Sequence, residues 1–433
     1  MEKKNSGTFE SEKKLNIPVY IISILFGISV LLPISSLLTS LDFFIFKFED
    51  RNPAFVLPLA LNAPMFTFIF IGFFIEEYIS LLHRTLLGYF GLTACLIWIP
   101  IFIHSLEADI SWILTLWAIG LMGVFASFIE NGVCGFVAIL PNQYVSAIMV
   151  GMGISGLMFN FIRIICIIAL PPEENNADDK NLYYGCLIFF ATSILFWLIC
   201  SAASIYAFHT DFARYYIEKS HHSTQNAPLI KSNENEDNFD SNLNSNLNFT
   251  NERLQHSQSS DIKQIYDKIW LCALQMSLWF ITTFVIYPGV AQSTNLGFLS
   301  NSDSQITWLV ITITTTFGIS DLAGRYAAEL FPRFNSKNIV FLAVLRLLFI
   351  PIFIIISKAG APTWLFGSDI FKISNLALFS FSNGYHCTRL MVIGTKTVNL
   401  DLQEKAGMIM NWHWIGGIFA GSLIATLVMS RYF

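Results

Sequence analysis

Asp321 and Arg325 stand four residues apart inside an apolar stretch that runs from Thr307 to Ala328. A lone charge at the centre of a bilayer costs about 2.5–3.5 kcal/mol. At i and i+4 the carboxylate and the guanidinium share one helix face, where each neutralises the other and both can turn toward a bundle interior or an aqueous path. Gly324, between them, permits close approach by another helix or a ligand. A second carboxylate, Glu130, lies deep in another apolar run. Arg163, Arg346 and Arg389 lie in or near three more. Buried acids and bases of this kind bind polar solutes, form gating or structural ion pairs, or relay protons.

The segments that hold these groups are those of a membrane protein. The chain is 54% hydrophobic and 13% charged, with a mean hydropathy of +0.57; a soluble domain carries about a quarter charged residues. The net charge of −5 excludes a polycation built for phosphate, so no nucleic acid is expected as a partner. The seven cysteines show no CxxC pairing and no metal spacing. No metal or cofactor is expected.

Runs long enough to cross a bilayer fall near 17–41, 54–76, 84–105, 111–140, 144–170, 183–208, 265–290, 303–331, 337–358, 364–395 and 405–430. The expected organisation is an N-terminal tail (1–16), a bundle of six helices (17–208), a low-complexity connection (209–264) and a bundle of five (265–430). No cleaved signal is indicated. Lysines and arginines gather in the tail (Lys3, Lys4, Lys13, Lys14), the long connection (Arg214, Lys219, Lys231) and the 330–340 segment (Arg333, Lys337), while Asp42, Glu49, Glu107, Asp109, Glu173 and Glu174 fall on the other side. This places the N-terminus in the cytoplasm and the C-terminus outside. Within the long connection residues 218–262 are rich in Asn, Ser and Glu, and their composition predicts a disordered tether.

Read in order, the motifs resemble the equilibrative nucleoside transporter family. They are Gly27-Ile-Ser-Val-Leu31-Leu32-Pro33; Gly132-Val-Cys-Gly135 with Leu140-Pro141; Met149-Val-Gly151-Met-Gly153 with Arg163; Phe212-Ala-Arg214; Tyr287-Pro288-Gly289; Asp321-x-x-Gly324-Arg325; Leu345-Arg346 with Pro351; and Phe381-Ser382-Asn383-Gly384-Tyr385. The resemblance covers nearly the whole chain. It implies an all-α polytopic membrane protein of eleven spans in a 6+5 arrangement, a major-facilitator-like pair of bundles, and facilitative movement of nucleosides or nucleobases, purines included, by alternating access.

It also implies that Asp321 and Arg325 hold the ribose and that Glu130, standing where members often carry a glutamine, lies near the base. Leu31, Gly153 and His386 complete the expected substrate site; Arg163, Arg346 and Arg389 are grouped as gating or structural ion pairs, although for Arg389, a few residues before Lys396, membrane anchoring is the favoured reading. Two departures bear on substrate preference: Ile34-Ser35 replace the usual Trp-Asn, and Gly318 replaces a polar residue. The glycines Gly132, Gly135, Gly151, Gly153 and Gly156 suggest a small-residue surface across the fourth and fifth helices.

Other functions fit less well. An ATP-driven pump lacks its GxxxxGK[ST] loop, and no repeated pore loop suggests a channel. An intramembrane protease needs a second aspartate in a neighbouring apolar run; an acyltransferase would rest on His413 alone. Beyond the substrate and the lipid bilayer, no obligate protein partner is implied, and the plasma membrane is the default location.

Overall fold

The computed structural model describes residues 16–75, 79–171, 180–225, 243–299, 305–332, 336–358 and 364–432. Most of the N-terminal tail, the middle of the long connection, and the acidic Glu173–Asp179 segment therefore lie outside the described residues, as does Arg333.

The long helices are α1 (Ile17–Thr39), α3 (Pro53–Ile75), α4 (Leu81–Ser105), α5 (Ala108–Ile139), α6 (Asn142–Ala169) and α7 (Lys180–His209), then α9 (Leu243–Ile286), α11 (Gln305–Leu330), α14 (Asp369–Lys396) and α15 (Gln403–Leu427). Short α2 (Leu41–Lys47), α8 (Asp211–Gln225) and α10 (Gly289–Gln292) lie between them, and the ninth expected span is split into α12 (Ser336–Arg346) and α13 (Phe349–Ser357). Among the described residues ten segments are long and apolar enough to cross a membrane. The remaining expected span, the tenth, is α14, which has 28 residues, about 42 Å at 1.5 Å per residue. Its apolarity is diluted by Asn375, Asn383, His386 and Arg389.

Helix ends follow the punctuation of the sequence. Pro141 caps α6, Asn16 accepts from the Val19 N–H at the start of α1, and α9 ends at Ile286, just before Tyr287-Pro288. Pro351 divides α12 from α13: it lacks an N–H, and its ring crowds the carbonyl of Leu347, four residues back. Around the break Leu347, Leu348 and Ile350 use tighter i+3 bonds.

In the first bundle α1 packs most closely on α6, and α5 on α4 and α3; in the second, α11 packs on α14 and α9 on α15. At several of these crossings a glycine brings backbone against backbone, as at α1–α6 and α11–α14. A Cβ on Gly27 would lie 2.1 Å from the Ile148 carbonyl oxygen of α6; one on Gly384 of α14 would lie 1.9 Å from that of Asp321 on α11. The bundles meet where α15 contacts α3 and α5, and where α11 contacts α6.

Two expectations change. The 209–264 connection is helical at both ends, because Asp211–Gln225 is amphipathic and buries Ala213 and Tyr216, while α9 begins well before the apolar run. The expected small-residue surface is instead a set of separate contacts. Gly132 faces Thr85, Gly135 faces Glu404, Gly151 faces Ile24, Gly153 faces Leu322 and Arg325, and Gly156 faces open space.

Candidate functional site: a cavity between the bundles

Asp321 and Arg325 form the expected pair, with Arg325 Nε donating to Asp321 Oδ2 at 2.6 Å, and both side chains are almost fully buried. The glycine contact between α11 and α14 brings Asn383 alongside, and its Nδ2 donates to Asp321 Oδ1 at 2.8 Å. Both carboxylate oxygens are therefore engaged. Arg325 Nη1 also donates to the Met149 carbonyl at 3.0 Å, reaching from the second bundle to α6 of the first.

Arg346 extends this network but makes no ion pair. It ends α12 at the Pro351 break, where its buried guanidinium donates from Nη1 to the Phe379 carbonyl (2.8 Å) and to the Ser382 hydroxyl, and from Nη2 to Thr283 Oγ1 (2.9 Å) and Asn383 Oδ1 (3.3 Å). It lies between two rings, 4.3 Å from the Trp279 centroid and 4.1 Å from that of Phe379. Among the described residues no carboxylate reaches it within ion-pair distance. Four neutral oxygens and two π faces satisfy the cation instead.

Glu130 projects from α5 and is 1% exposed. Among the described residues its Oε2 has no hydrogen-bond partner. Neighbouring Asn131 turns away, donating to the Ile69 carbonyl at 3.2 Å. Glu130 thus lacks the compensation that Asp321 has.

Asp321, Arg325, Asn383 and Glu130 share one cavity, about 950 Å³ with its open solvent included. Leu31, Glu130, Gly153, Asp321 and Arg325, all expected at the site, line it; so do Thr283 and Asn383, which the sequence reading did not assign to it. Asn383 stood in a quoted motif, but nothing in one sequence shows that it would meet Asp321. Phe284, Tyr287, Phe317 and Trp414 supply apolar and aromatic wall. The first bundle contributes apolar surface, one acid and the neutral polar groups Ser35, Thr39, Asn62 and Asn160, while the second contributes the charged network.

His386 does not join the site. Its Nδ1 lies 2.8 Å from the Ser382 carbonyl and its ring stacks on Trp279 at 4.1 Å. Those two contacts hold the ring outside the cavity lining. Arg163 pairs with Asp42 of α2 at 2.7 Å, both 1% exposed, wholly within the first bundle. Arg389 donates to the Pro332 carbonyl at 3.3 Å, a tie to the 330–340 connection.

At the end of the bundles where α14 finishes, Lys396 Nζ donates to the Ala138 and Leu140 carbonyls at the end of α5, at 2.7 and 2.5 Å, and to Gln403 Oε1 at 2.8 Å. An ammonium on the last carbonyls of a helix complements its dipole. Nearby, Arg84 of α4 and Glu404 of α15 approach within 3.9 Å. Neither bridge was foreseen, since both join residues more than 250 positions apart. Among the described residues no His/Cys/Asp/Glu cluster is arranged for a metal, and the seven cysteines are buried and free.

Two helical bundles around a central cavity are the architecture of a multi-pass membrane carrier, and solved transporter structures share the fold. The proton:xylose symporter XylE, a major facilitator superfamily protein, aligns with a TM-score of 0.61 at 12% identity over 96% of this chain and 89% of its own. The nucleoside transporter NupG aligns with a TM-score of 0.52 at 13% identity over 96% and 92%. Sequence adds the particular family. The family model described as nucleoside transporter matches residues 116–430, and the chain belongs to that family. Equilibrative nucleoside transporter 4 of Danio rerio is 23% identical over 94% of this chain and 82% of its own length; equilibrative nucleoside transporter 1 of Homo sapiens is 25% identical over 86% and 81%. The chain is a transporter and not an enzyme.

Proposed function

We propose that this protein moves nucleosides down their gradient, with Asp321 and Arg325 on the ribose and Glu130 at the base end of the cavity. The observation that carries the reading is the single cavity that holds an ion pair with an amide on one wall and a carboxyl on the opposite wall. A diol needs an acceptor and a donor side by side, which Asp321 and Arg325 offer. A base edge needs a partner that can donate or accept, and Glu130 accepts when ionised and donates when protonated. The aromatic wall suits a planar ring.

The contacts around Lys396, Arg84 and Glu404 join the bundles below the cavity, so exchange between sides requires them to part while the bundles rock around the site. The proposed membrane topology has eleven spans, α14 crossing as the tenth with its polar face inward, the N-terminus cytoplasmic and the C-terminus outside. The plasma membrane is the proposed location. The 6+5 boundary is proposed to fall in the connection before α9.

The deciding experiment is uptake of radiolabelled adenosine and inosine into proteoliposomes holding purified protein. Saturable, gradient-driven uptake inhibited by unlabelled nucleoside supports the reading. Uptake of neither nucleoside by well-folded protein removes it and leaves another small polar solute as the substrate.

A further inference from the structure

Arg346 has not been accounted for by anything above. It is a cation buried at membrane depth, which is costly without a role, and it does not itself line the cavity. Two of its neighbours, Thr283 and Asn383, do. Asn383 Oδ1 is met by two groups, Thr283 Oγ1 at 2.9 Å and Arg346 Nη2 at 3.3 Å, while Asn383 Nδ2 meets Asp321 Oδ1 at 2.8 Å. Turning the amide over would set its NH2 against a guanidinium and its oxygen against a carboxylate. Both contacts would then be repulsive.

The planar fork matters to this arrangement. Nη1 is fixed by the Phe379 carbonyl and Ser382, and the plane is clamped between Trp279 and Phe379, so Nη2 has one place to point. Asn383 therefore presents its NH2 to Asp321 and retains a second N–H for the cavity that it lines.

We propose that Arg346 is a positioning residue that fixes the hydrogen-bond sense of Asn383 and thereby makes the transporter select for ribose hydroxyls. The proposal rests on the reading that the ribose sits at Asp321 and Arg325. A sugar hydroxyl meets a fixed set there, one carboxylate acceptor flanked by the Arg325 and Asn383 donors. A deoxy sugar leaves those polar groups unmatched. With the amide free to turn, the set blurs and selectivity falls, even though every group that touches the substrate is still present.

The test compares adenosine, 2′-deoxyadenosine and 3′-deoxyadenosine uptake in proteoliposomes, as ratios of kcat/KM, which do not depend on the amount of folded protein. In the wild-type protein we expect a preference of about tenfold for adenosine over at least one deoxy form, the size of one well-made buried hydrogen bond. Arg346→Lys keeps the charge and loses the fork; it should lower that preference to about twofold or less and leave the adenosine-to-inosine ratio unchanged. Thr283→Val, which strips one anchor from Asn383 Oδ1, should shift it in the same direction and decides the matter if Arg346→Lys cannot be recovered. In an Asn383→Ala background, adding Arg346→Lys should change the ratio no further, because the arginine acts through the amide. Wild-type selectivity that persists in both Arg346→Lys and Thr283→Val overturns this inference and leaves the ribose reading standing. Equal handling of all three sugars by the wild-type protein removes the ribose reading and this inference with it.

Discussion

Among the described residues two arginine–aspartate pairs are buried, and they differ in everything but their geometry. Asp42 and Arg163 meet at 2.7 Å in the first bundle, Asp321 and Arg325 at 2.6 Å in the second. Around the first, atoms are left over: Asp42 Oδ1 and Arg163 Nε are buried without hydrogen bonds. Around the second nothing is left over on the carboxylate, since Asn383 takes the remaining oxygen, and the pair opens on the cavity. The first pair ties α2 to α6 and the second organises a site. An ion pair in a membrane protein is thus read from what surrounds it more than from its own distance.

This difference is testable, beginning with the largest effect. Asp321→Asn and Arg325→Ala should each abolish nucleoside uptake while folded protein is still recovered. Asp42→Asn and Arg163→Leu should instead lower the recovery and melting temperature of the protein, by about 3–5 kcal/mol for an uncompensated buried charge, and whatever folds should transport with unchanged selectivity. Thermal unfolding in detergent alongside uptake separates the two. If the Asp42 and Arg163 variants fold normally but fail to transport, the contrast collapses.

Two of the glycine crossings refine it. Gly27→Ala and Gly384→Ala each place a methyl within about 2 Å of a backbone oxygen, and overpacking of this kind costs roughly 1–3 kcal/mol. Stability should fall in both. Only Gly384→Ala, which pushes α14 from α11 next to Asn383, should also change the adenosine-to-deoxyadenosine ratio; a matching change in Gly27→Ala would mean that the ratio reports general loosening.

Glu130 is the one acid on the first bundle's wall of the cavity. Glu130→Gln keeps the size and both hydrogen-bonding senses but cannot titrate, so uptake should persist and its pH profile should flatten between about pH 5 and 8, the range open to a buried carboxyl. Identical profiles for adenosine and inosine in the two proteins would take Glu130 out of the substrate site. The smallest effect is expected from deleting residues 226–242. Their Asn, Ser and Glu content predicts a change in substrate affinity within a factor of about two, measured by competition uptake.

Much of this was legible in the sequence. Spans appear as apolar runs, and prolines at 141, 288 and 351 mark ends and a break. The Asp321/Arg325 pair was readable because its partners are one helical turn apart. Arg346 and His386 were misassigned because their partners come from other helices: Trp279 and Phe379 for the arginine, Trp279 and the Ser382 carbonyl for the histidine. The cross-bundle bridge from Lys396 to the Ala138 carbonyl joins residues 258 positions apart, and backbone acceptors have no signature in composition. Amphipathic order at 211–225 was obscured by the polar composition around it.

The split ninth span has a consequence for how the chain is made. Of the ten apolar segments it is the most hydrophobic and the least covered by protein, with Phe341, Val344, Leu345, Leu347 and Leu348 facing outward. A nascent helix carrying a central arginine meets an insertion penalty of about 2.5–3.5 kcal/mol, which leucines, isoleucines, phenylalanines and valines offset by roughly 0.3–0.6 kcal/mol each. The unbroken apolar run on both sides of Arg346 is what lets the translocon release that segment into lipid before Phe379, Ser382 and Asn383 of α14, which are made later, are there to receive the guanidinium. Replacing several of those outward residues with alanine should therefore impair biosynthesis while sparing the mature protein.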